Sequence, residues 1–382
     1  MGIILYFMVA TATMLLACLV DNKCQPVTGG RLYGEREITR RQGLNALSLL
    51  AVFTILFLLS ALRMEVGNDY ETYVDTIHEI YVGGYVVTEP LFNAVVKVLC
   101  ELSGGENYLL VFAAFAFVTI WIFLKVLYEQ TENFTLSFFL FMTLGIYFRT
   151  FNTVRYYFVL AITMYSFRYI LKKEYIKFIL LIVLAAFFHK SVLVVIPIYF
   201  LANLPWRKWM VAVLGIGAAG MICLRDLIMK IALELYPSYK DTVFLETETG
   251  LTGNLMSVFR CILVLILGMI CYREAVKDKK ENEFYFKLNF LAILMYLSCS
   301  FLPLVGRIGY YLMTSHVLFL PSVLGRIENA KKKKILTALV IVAGVIYFML
   351  FLKSANQPGV RVLPYKTWLF YEKEFLNAET IF

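Results

Sequence analysis

The chain has 382 residues, 60% apolar and only 16% charged, with a net charge of +9 and a mean hydropathy of +0.74. Soluble domains carry about 45–50% apolar and about 25% charged residues, so composition excludes an ordinary globular domain and points to a polytopic membrane protein with a single integral membrane domain over 1–382. In such a chain the basic excess belongs to cytoplasmic loops, and nucleic acid is excluded as a partner.

In chain order, apolar segments fall at 3–20, 43–62, 107–127, 134–148, 151–171, 175–188, 190–204, 209–224, 255–272, 288–305, 308–325 and 335–352. They predict an all-α fold of about twelve transmembrane helices, since ~20 apolar residues cross a bilayer. The first run lacks a basic n-region and a small-x-small cleavage site, so it is read as a retained helix rather than a signal peptide. The seven cysteines show no CxxC pair or ligand spacing and are read as small core residues.

Basic residues cluster in 21–42 (Lys23, Arg31, Arg36, Arg40, Arg41), in 168–177 (Arg168, Lys172, Lys173, Lys177), at Arg207–Lys208, in 273–287, and in 326–334 with its run Lys331 to Lys334. If the spans alternate, these clusters share one side, and the positive-inside rule makes that side the cytoplasm. Both termini, including the tail 353–382, are then extracytoplasmic.

The loop 63–106 after the second span falls on the outer side, with eight acidic and two basic residues. Tyr70, Tyr73, Val74, Ile77 and Tyr81 recur at helical spacing, which predicts an amphipathic helix on the outer surface. Asn68 and Glu71 fit a capping box. Asn68 and Asp69 are therefore either helix caps, or Asp69 is a general base at a cavity mouth. Glu89–Pro90 opens the segment 91–103, too short for a span and read as re-entrant or interfacial.

Arg149 lies at an outer turn, Arg155 four residues and Arg260 five residues into their spans, and Arg307 at the start of another. An arginine facing lipid at mid-bilayer costs about 2.5–3.5 kcal/mol on insertion scales. Each therefore either snorkels to the interface or faces a wet cavity, a carboxylate or an anionic ligand such as phosphate. The run 176–204 would be about 44 Å long as one helix, against a ~30 Å hydrocarbon core. Two short helices, with His189–Lys190 at the outer turn between them, put both flanking basic turns inside. His189 is then either a satisfied turn histidine or the floor of an outward-facing cavity. Tyr310, Tyr311 and Thr314 continue the Arg307 stripe, and His316 is read as buried and satisfied. In the tail, Pro364, Tyr365 and Lys366 either close over the cavity or are solvated.

The segments RMEVGNDYETY and TEPLFNAVVK, the stretch from TVRYY to AAFFHKSVLVVIPIYFL, and RIGYYLMTSHVLFLP with the late PYK together resemble the EpsG-type, Wzy-like polysaccharide polymerases. Departures are Val192, where alanine is common, and Tyr156, where glutamine often follows the arginine. The resemblance implies a GT-C-like membrane glycosyltransferase of the bacterial cytoplasmic membrane. Such enzymes join polyprenyl-diphosphate-linked oligosaccharide repeat units into exopolysaccharide or capsule on the outer face. It implies polar site positions at Arg63, Asp69, Glu89, Arg155, His189 and Arg307. The chemistry assigns the base to Asp69, Glu89 or His189. Diphosphate and substrate binding fall to Arg63, Arg149, Arg155, Arg260, Arg307, Lys190, Tyr310, Tyr365 and Lys366. No nucleotide cofactor is needed, because the energy resides in the diphosphate linkage. No metal site is indicated, although Asp69 and Glu89 leave a divalent ion open. Partners on this reading are the lipid-linked oligosaccharide, membrane lipid, a chain-length regulator and a flippase.

The competing readings are a lipid-linked oligosaccharide flippase, a membrane acyltransferase that modifies glycan, and a structural component of an export complex. A flippase should carry charge through to both leaflets, whereas the unusual charges here gather on one side. An acyltransferase wants a deep base, and His316 has no carboxylate near it in sequence. There is no Gly-rich phosphate loop and no HExxH.

Overall fold

The computed structural model describes residues 2–22, 39–235, 251–302, 305–357 and 360–370. Lys23, Cys24, Arg31, Arg36 and the tail beyond 370 lie outside these. Among the described residues the fold is all-helical, the one β-type contact being an isolated bridge between Arg63 and Thr367. The chain divides into two compact units: 1–129, 134–161 and 339–382 form the first, and 130–133 with 162–338 the second.

In the first unit α1 (Gly2–Ala17) packs on α2 (Arg40–Ala61), and α2 lies along α5 (Tyr108–Glu129). Thr39 starts α2 with a full capping box: its hydroxyl accepts from Gln42 N, and Gln42 Oε1 accepts from Thr39 N. Between α2 and α5 the acidic loop folds into α3 (Tyr70–Val82) and α4 (Pro90–Leu102), packed on each other, with α4 also on α5. The buried stripe of α3 is Tyr70, Tyr73, Ile77 and Ile80, while Tyr81, expected on that stripe, is exposed. At about 100° per residue the buried set is centred between Tyr73 and Ile77, and Tyr81 lies about 60° to one side of it. The capping box expected at Asn68 and Glu71 does not form: Asp69 is the N-cap residue and its side chain makes no cap bond.

The expected span 134–148 is broken into α6 (Phe134–Thr143) and α7 (Ile146–Arg149). Gly145 adopts φ +71°, a left-handed value that suits glycine, and an added Cβ there would lie 3.1 Å from the Phe351 ring. The aromatic core of this unit joins Tyr6, Phe148 and Phe348, with ring centroids 4.7 Å apart for the first pair and 5.6 Å for the second. Tyr147 anchors it to α2 through a 2.7 Å bond to the Leu56 carbonyl. The helix α8 (Val154–Leu171) begins in the first unit and ends in the second.

In the second unit the run 176–204 is split as its length demands: α9 (Tyr175–Ala186), a 3-10 turn over Lys190–Val194, and α10 (Val195–Asn203). α11 (Lys208–Cys223) is followed by α12 (Arg225–Leu235) at 77°, a helix that the apolar pattern ending at 224 did not reveal. Then come α13 (Leu251–Ile270), α14 (Lys280–Ser298), α15 (Val305–Met313), α16 (His316–Gly325) and α17 (Ala330–Ser354), whose far end belongs to the first unit. α14 is the hub, packed on α10, α11, α13, α15 and α16. It starts well before the expected 288 and absorbs part of the basic loop. Lys287 is tolerated in it because Glu283 and the Leu204 carbonyl each take its ammonium at 2.6 Å. The expected span 308–325 is interrupted at Thr314 and Ser315, whose hydroxyls bond back to the carbonyls of Tyr311 and Leu312 and compete with helical bonding.

Among the described residues four segments are long and apolar enough to cross a membrane: α2, α5, 305–325 and α17, with α11 and α12 as a fifth if the bent pair counts as one. The other apolar helices, 2–17, 134–143, 175–186, 190–203 and 254–270, are shorter. α11 buries none of its residues although it is almost wholly apolar. Such a surface is stable against hydrocarbon, not against water. This is a membrane protein.

Candidate functional site

In the first unit three distant pieces of chain meet around the start of α8. Arg155 Nη1 donates to Glu89 Oε2, and both side chains are largely buried. The guanidinium also lies over the rings of Phe92 (5.0 Å) and Tyr73 (5.8 Å). Tyr73 Oη in turn accepts from the Arg155 backbone N–H at 3.2 Å. Arg155 is the second residue of α8, nearer the helix end than the span 151–171 implied. A cation at a helix N-terminus opposes the dipole, and the Glu89 carboxylate offsets this. Two residues earlier, Thr153 Oγ1 donates to Asp69 Oδ2 at 2.9 Å, and Asn152 Oδ1 accepts from the Asn68 N–H at 2.9 Å. Gly67, at φ +108°, lies against the Phe151 carbonyl, where no Cβ would fit. Thus Asp69, Glu89 and Arg155, singled out from sequence, belong to one bonded cluster. Of the residues that complete it, Thr153 and Asn152 carried no signal of their own, and Tyr73 stood out only as part of the apolar stripe of α3.

Arg63 is 2% exposed. Its Nη1 donates to the Ser60 carbonyl and hydroxyl, and its plane lies 4.9 Å from the Phe112 ring and 5.4 Å from that of Phe151. Burial pushes its pKa down to about 10, opposed by Tyr70, Tyr147, Tyr365 and Tyr6, so it stays a cation at neutral pH. Arg149 is half-buried over Phe351. The segment after α17 is not loose. Backbone bonds join Met64 N to Lys366 O (3.0 Å), Gly67 N to Arg361 O (2.9 Å) and Trp368 N to Leu62 O (3.0 Å). Tyr365 points inward, its hydroxyl on the Leu59 carbonyl at 2.9 Å, and burial raises its pKa. Lys366 pairs with Glu65, and Arg361 pairs with Glu71 at 3.3 Å. An open cleft of about 400 Å³ lies between this strap and the 65–68 loop.

The second unit holds the other nominated residues. His189 is buried at the break between α9 and the 3-10 turn, and Lys190 beside it is exposed. The turn is fastened by Ser191, whose hydroxyl meets Tyr311 Oη at 2.9 Å, while Tyr199 Oη donates to the Tyr311 carbonyl at 2.6 Å. Arg260 is buried near the middle of α13, deeper than expected, because that helix starts four residues earlier than the apolar run. Its guanidinium lies 5.5 Å from the Tyr310 ring and its Nη2 is 2.9 Å from Met313 Sδ. Arg307 is the third residue of α15 and half-buried. His316 is fully buried, with Nε2 2.8 Å from Asn289 Oδ1. Asn289 Nδ2 donates onward to the Cys261 carbonyl at 2.9 Å.

Among the described residues no three His, Cys, Asp or Glu side chains gather closely enough to hold a metal ion.

This is a helical membrane protein that keeps arginines inside it against a carboxylate and aromatic rings, an arrangement that marks those positions as candidate functional sites. Residues 46–367 match the EpsG family, and the chain belongs to that family. No curated protein and no solved structure matches it. Family membership suggests a role of the exopolysaccharide-polymerase type.

Proposed function

We propose that this chain is a polysaccharide polymerase that joins oligosaccharide repeat units carried on polyprenyl diphosphate, on the outer face of a bacterial cytoplasmic membrane. The reading includes a GT-C-like body of about twelve membrane passages, some made by short or broken helices. Both termini, the 63–106 region and the tail lie outside. A flippase and a chain-length regulator are its expected partners. The observation that carries it is the cluster of Asp69, Glu89 and Arg155 in a membrane chain of this family.

An acceptor-sugar hydroxyl attacks the anomeric carbon of the donor. The carbon–oxygen bond to the diphosphate breaks, and polyprenyl diphosphate leaves with the electron pair. The transition state is oxocarbenium-like, as in glycoside hydrolysis. A base must take the hydroxyl proton. Asp69 suits this because, among the described residues, its carboxylate has a single hydroxyl donor, Thr153, and no cation bonded to it. Glu89, bonded to Arg155, suits the task less. Developing negative charge on the diphosphate needs fixed cations. Arg155 suits that role, since its Nε has no hydrogen-bond partner among the described residues while Glu89 holds Nη1. In the second unit His189, Arg260 and Arg307, with Lys190 and Tyr310, are the corresponding candidates for proton transfer and diphosphate contact. Arg63 and Tyr365, turned inward, have a structural task.

The test is a size ladder of lipid-linked glycan from the native host with this chain deleted. Loss of long chains, with single repeat units exposed outside, is the expected result. Repeat units trapped on the cytoplasmic face would identify a flippase and overturn the proposal.

A further inference from the structure

We infer that the open cleft of the first unit, between the 65–68 loop and the strap that follows α17, is a subsite for an uncharged stretch of saccharide. The inference rests on the polymerase reading and deepens it.

The cleft volume, about 400 Å³, falls within the ~300–1,000 Å³ of ligand clefts. Its walls are Glu65, Asn68, Asn356, Arg361 and Lys366. Two cations there would first suggest a phosphate site, as the sequence did for Lys366. Each cation is already matched, Lys366 by Glu65 and Arg361 by Glu71. Two carboxylates beside two cations leave the cleft without net charge to draw in an anion. Sugar hydroxyls need none: they accept from amide NH₂ groups and donate to amide and carboxylate oxygens. Asn68 and Asn356 present both kinds of group from opposite ends of the chain, and the exposed Pro364 adds apolar surface for the C–H face of a ring.

The walls are also set before a ligand arrives. The backbone bonds from Met64 to Lys366 and from Gly67 to Arg361 hold loop and strap together, so little ordering is left to oppose binding. Asp69 follows Asn68 directly. Saccharide held in the cleft therefore engages the same short loop that carries the residue assigned as base.

The experiment uses the full chain in lipid nanodiscs. The probe is an oligosaccharide of two or more repeat units, freed of lipid and diphosphate, from the host's own polymer. Binding is read by saturation-transfer NMR and calorimetry. The unmodified chain should bind it, and excess inorganic pyrophosphate should not displace it. Asn68→Ala and Asn356→Ala should each weaken binding about tenfold, and Asn356→Trp, which fills the cleft from an exposed position, should abolish it. Each variant is first checked for an unchanged thermal midpoint. No binding by the unmodified chain, displacement by pyrophosphate, or unchanged binding by Asn356→Trp would overturn the subsite. The deletion ladder separates the two claims. If deletion removes long glycan while binding ignores the cleft variants, the subsite alone falls; if long glycan survives deletion, the polymerase reading falls and the subsite with it.

Discussion

Arg155 and Glu89, 66 residues apart in the chain, are joined side chain to side chain at the start of α8. The pair ties the acidic region 63–106 to the body of the first unit. It is only partly exposed, at 21% and 13% for the two side chains, so neither charge is left to solvent when its partner is removed. Arg155→Ala should lower stability by about 2–4 kcal/mol, somewhat below the about 3–5 kcal/mol for breaking a fully buried pair because both side chains keep some exposure. Glu89→Gln should cost less, because the amide still accepts a hydrogen bond. A double-mutant cycle followed by thermal unfolding in detergent should give a coupling of about 1–3 kcal/mol. Arg155→Lys separates the roles: stability should largely return while polymer does not, because an ammonium cannot hold Glu89 and phosphate oxygens in the planar fork of a guanidinium.

Gly67→Ala is expected to be the most damaging small substitution in the first unit. The residue holds φ +108°, and a Cβ would collide with the Phe151 carbonyl. Strain and clash together should cost about 2–4 kcal/mol. The Asn68–Asn152 bond and the position of Asp69 should loosen with it. The check is reduced folded yield and a lower thermal midpoint than for Gly83→Ala, which has positive φ but open space around it.

The parts of this arrangement that were legible in the sequence share one property: they are expensive to place in a membrane. Arginines inside apolar segments, a histidine inside an apolar run and an acidic loop between two of them each demand an explanation, and Arg155, Glu89 and Asp69 fall together. The neutral partners carried no such demand. Thr153 and Asn152 are ordinary residues just before a helix, Tyr73 belongs to the buried stripe of α3, and only the fold brings them to the charged groups. Length demanded a break within 176–204, since one helix would overrun the bilayer, and the basic turns at both ends with the polar pair His189–Lys190 placed it. The breaks at Gly145 and Thr314–Ser315 were hidden, because hydropathy averages over a single left-handed glycine and over hydroxyls that bond back to carbonyls. α12 was missed for the opposite reason: Arg225, Asp226, Lys230 and Glu234 dilute its apolar face.

Lys190 and His189 should behave differently toward an impermeant thiol reagent in intact cells. Lys190 is exposed and His189 is 7% exposed. In a cysteine-free background Lys190→Cys should label from outside, and His189→Cys should label slowly or only after unfolding. Labelling of Lys190→Cys only in opened cells would place this turn in the cytoplasm and reverse the proposed orientation.

Tyr311 and Ser191 provide the last test, because their bond fastens the turn that follows His189. The Tyr311 hydroxyl meets Ser191 Oγ, and the Tyr311 carbonyl accepts from Tyr199 Oη. Tyr311→Phe removes the first bond and leaves the second, so the packing of α15 is kept while the turn loses one anchor. A buried hydrogen bond of this kind contributes about 1 kcal/mol, and Ser191→Ala should cost about the same. If the bond only stabilises the fold, each variant should make polymer at the normal rate once folded protein is equalised. If it holds His189 in place for proton transfer, both should slow polymerisation per folded molecule, and the double variant should be no slower than either single one, since both remove the same contact. Ser191→Thr, which keeps a hydroxyl at this position, should recover most of the rate. Recovery of stability without recovery of rate would detach Ser191 and Tyr311 from the chemistry.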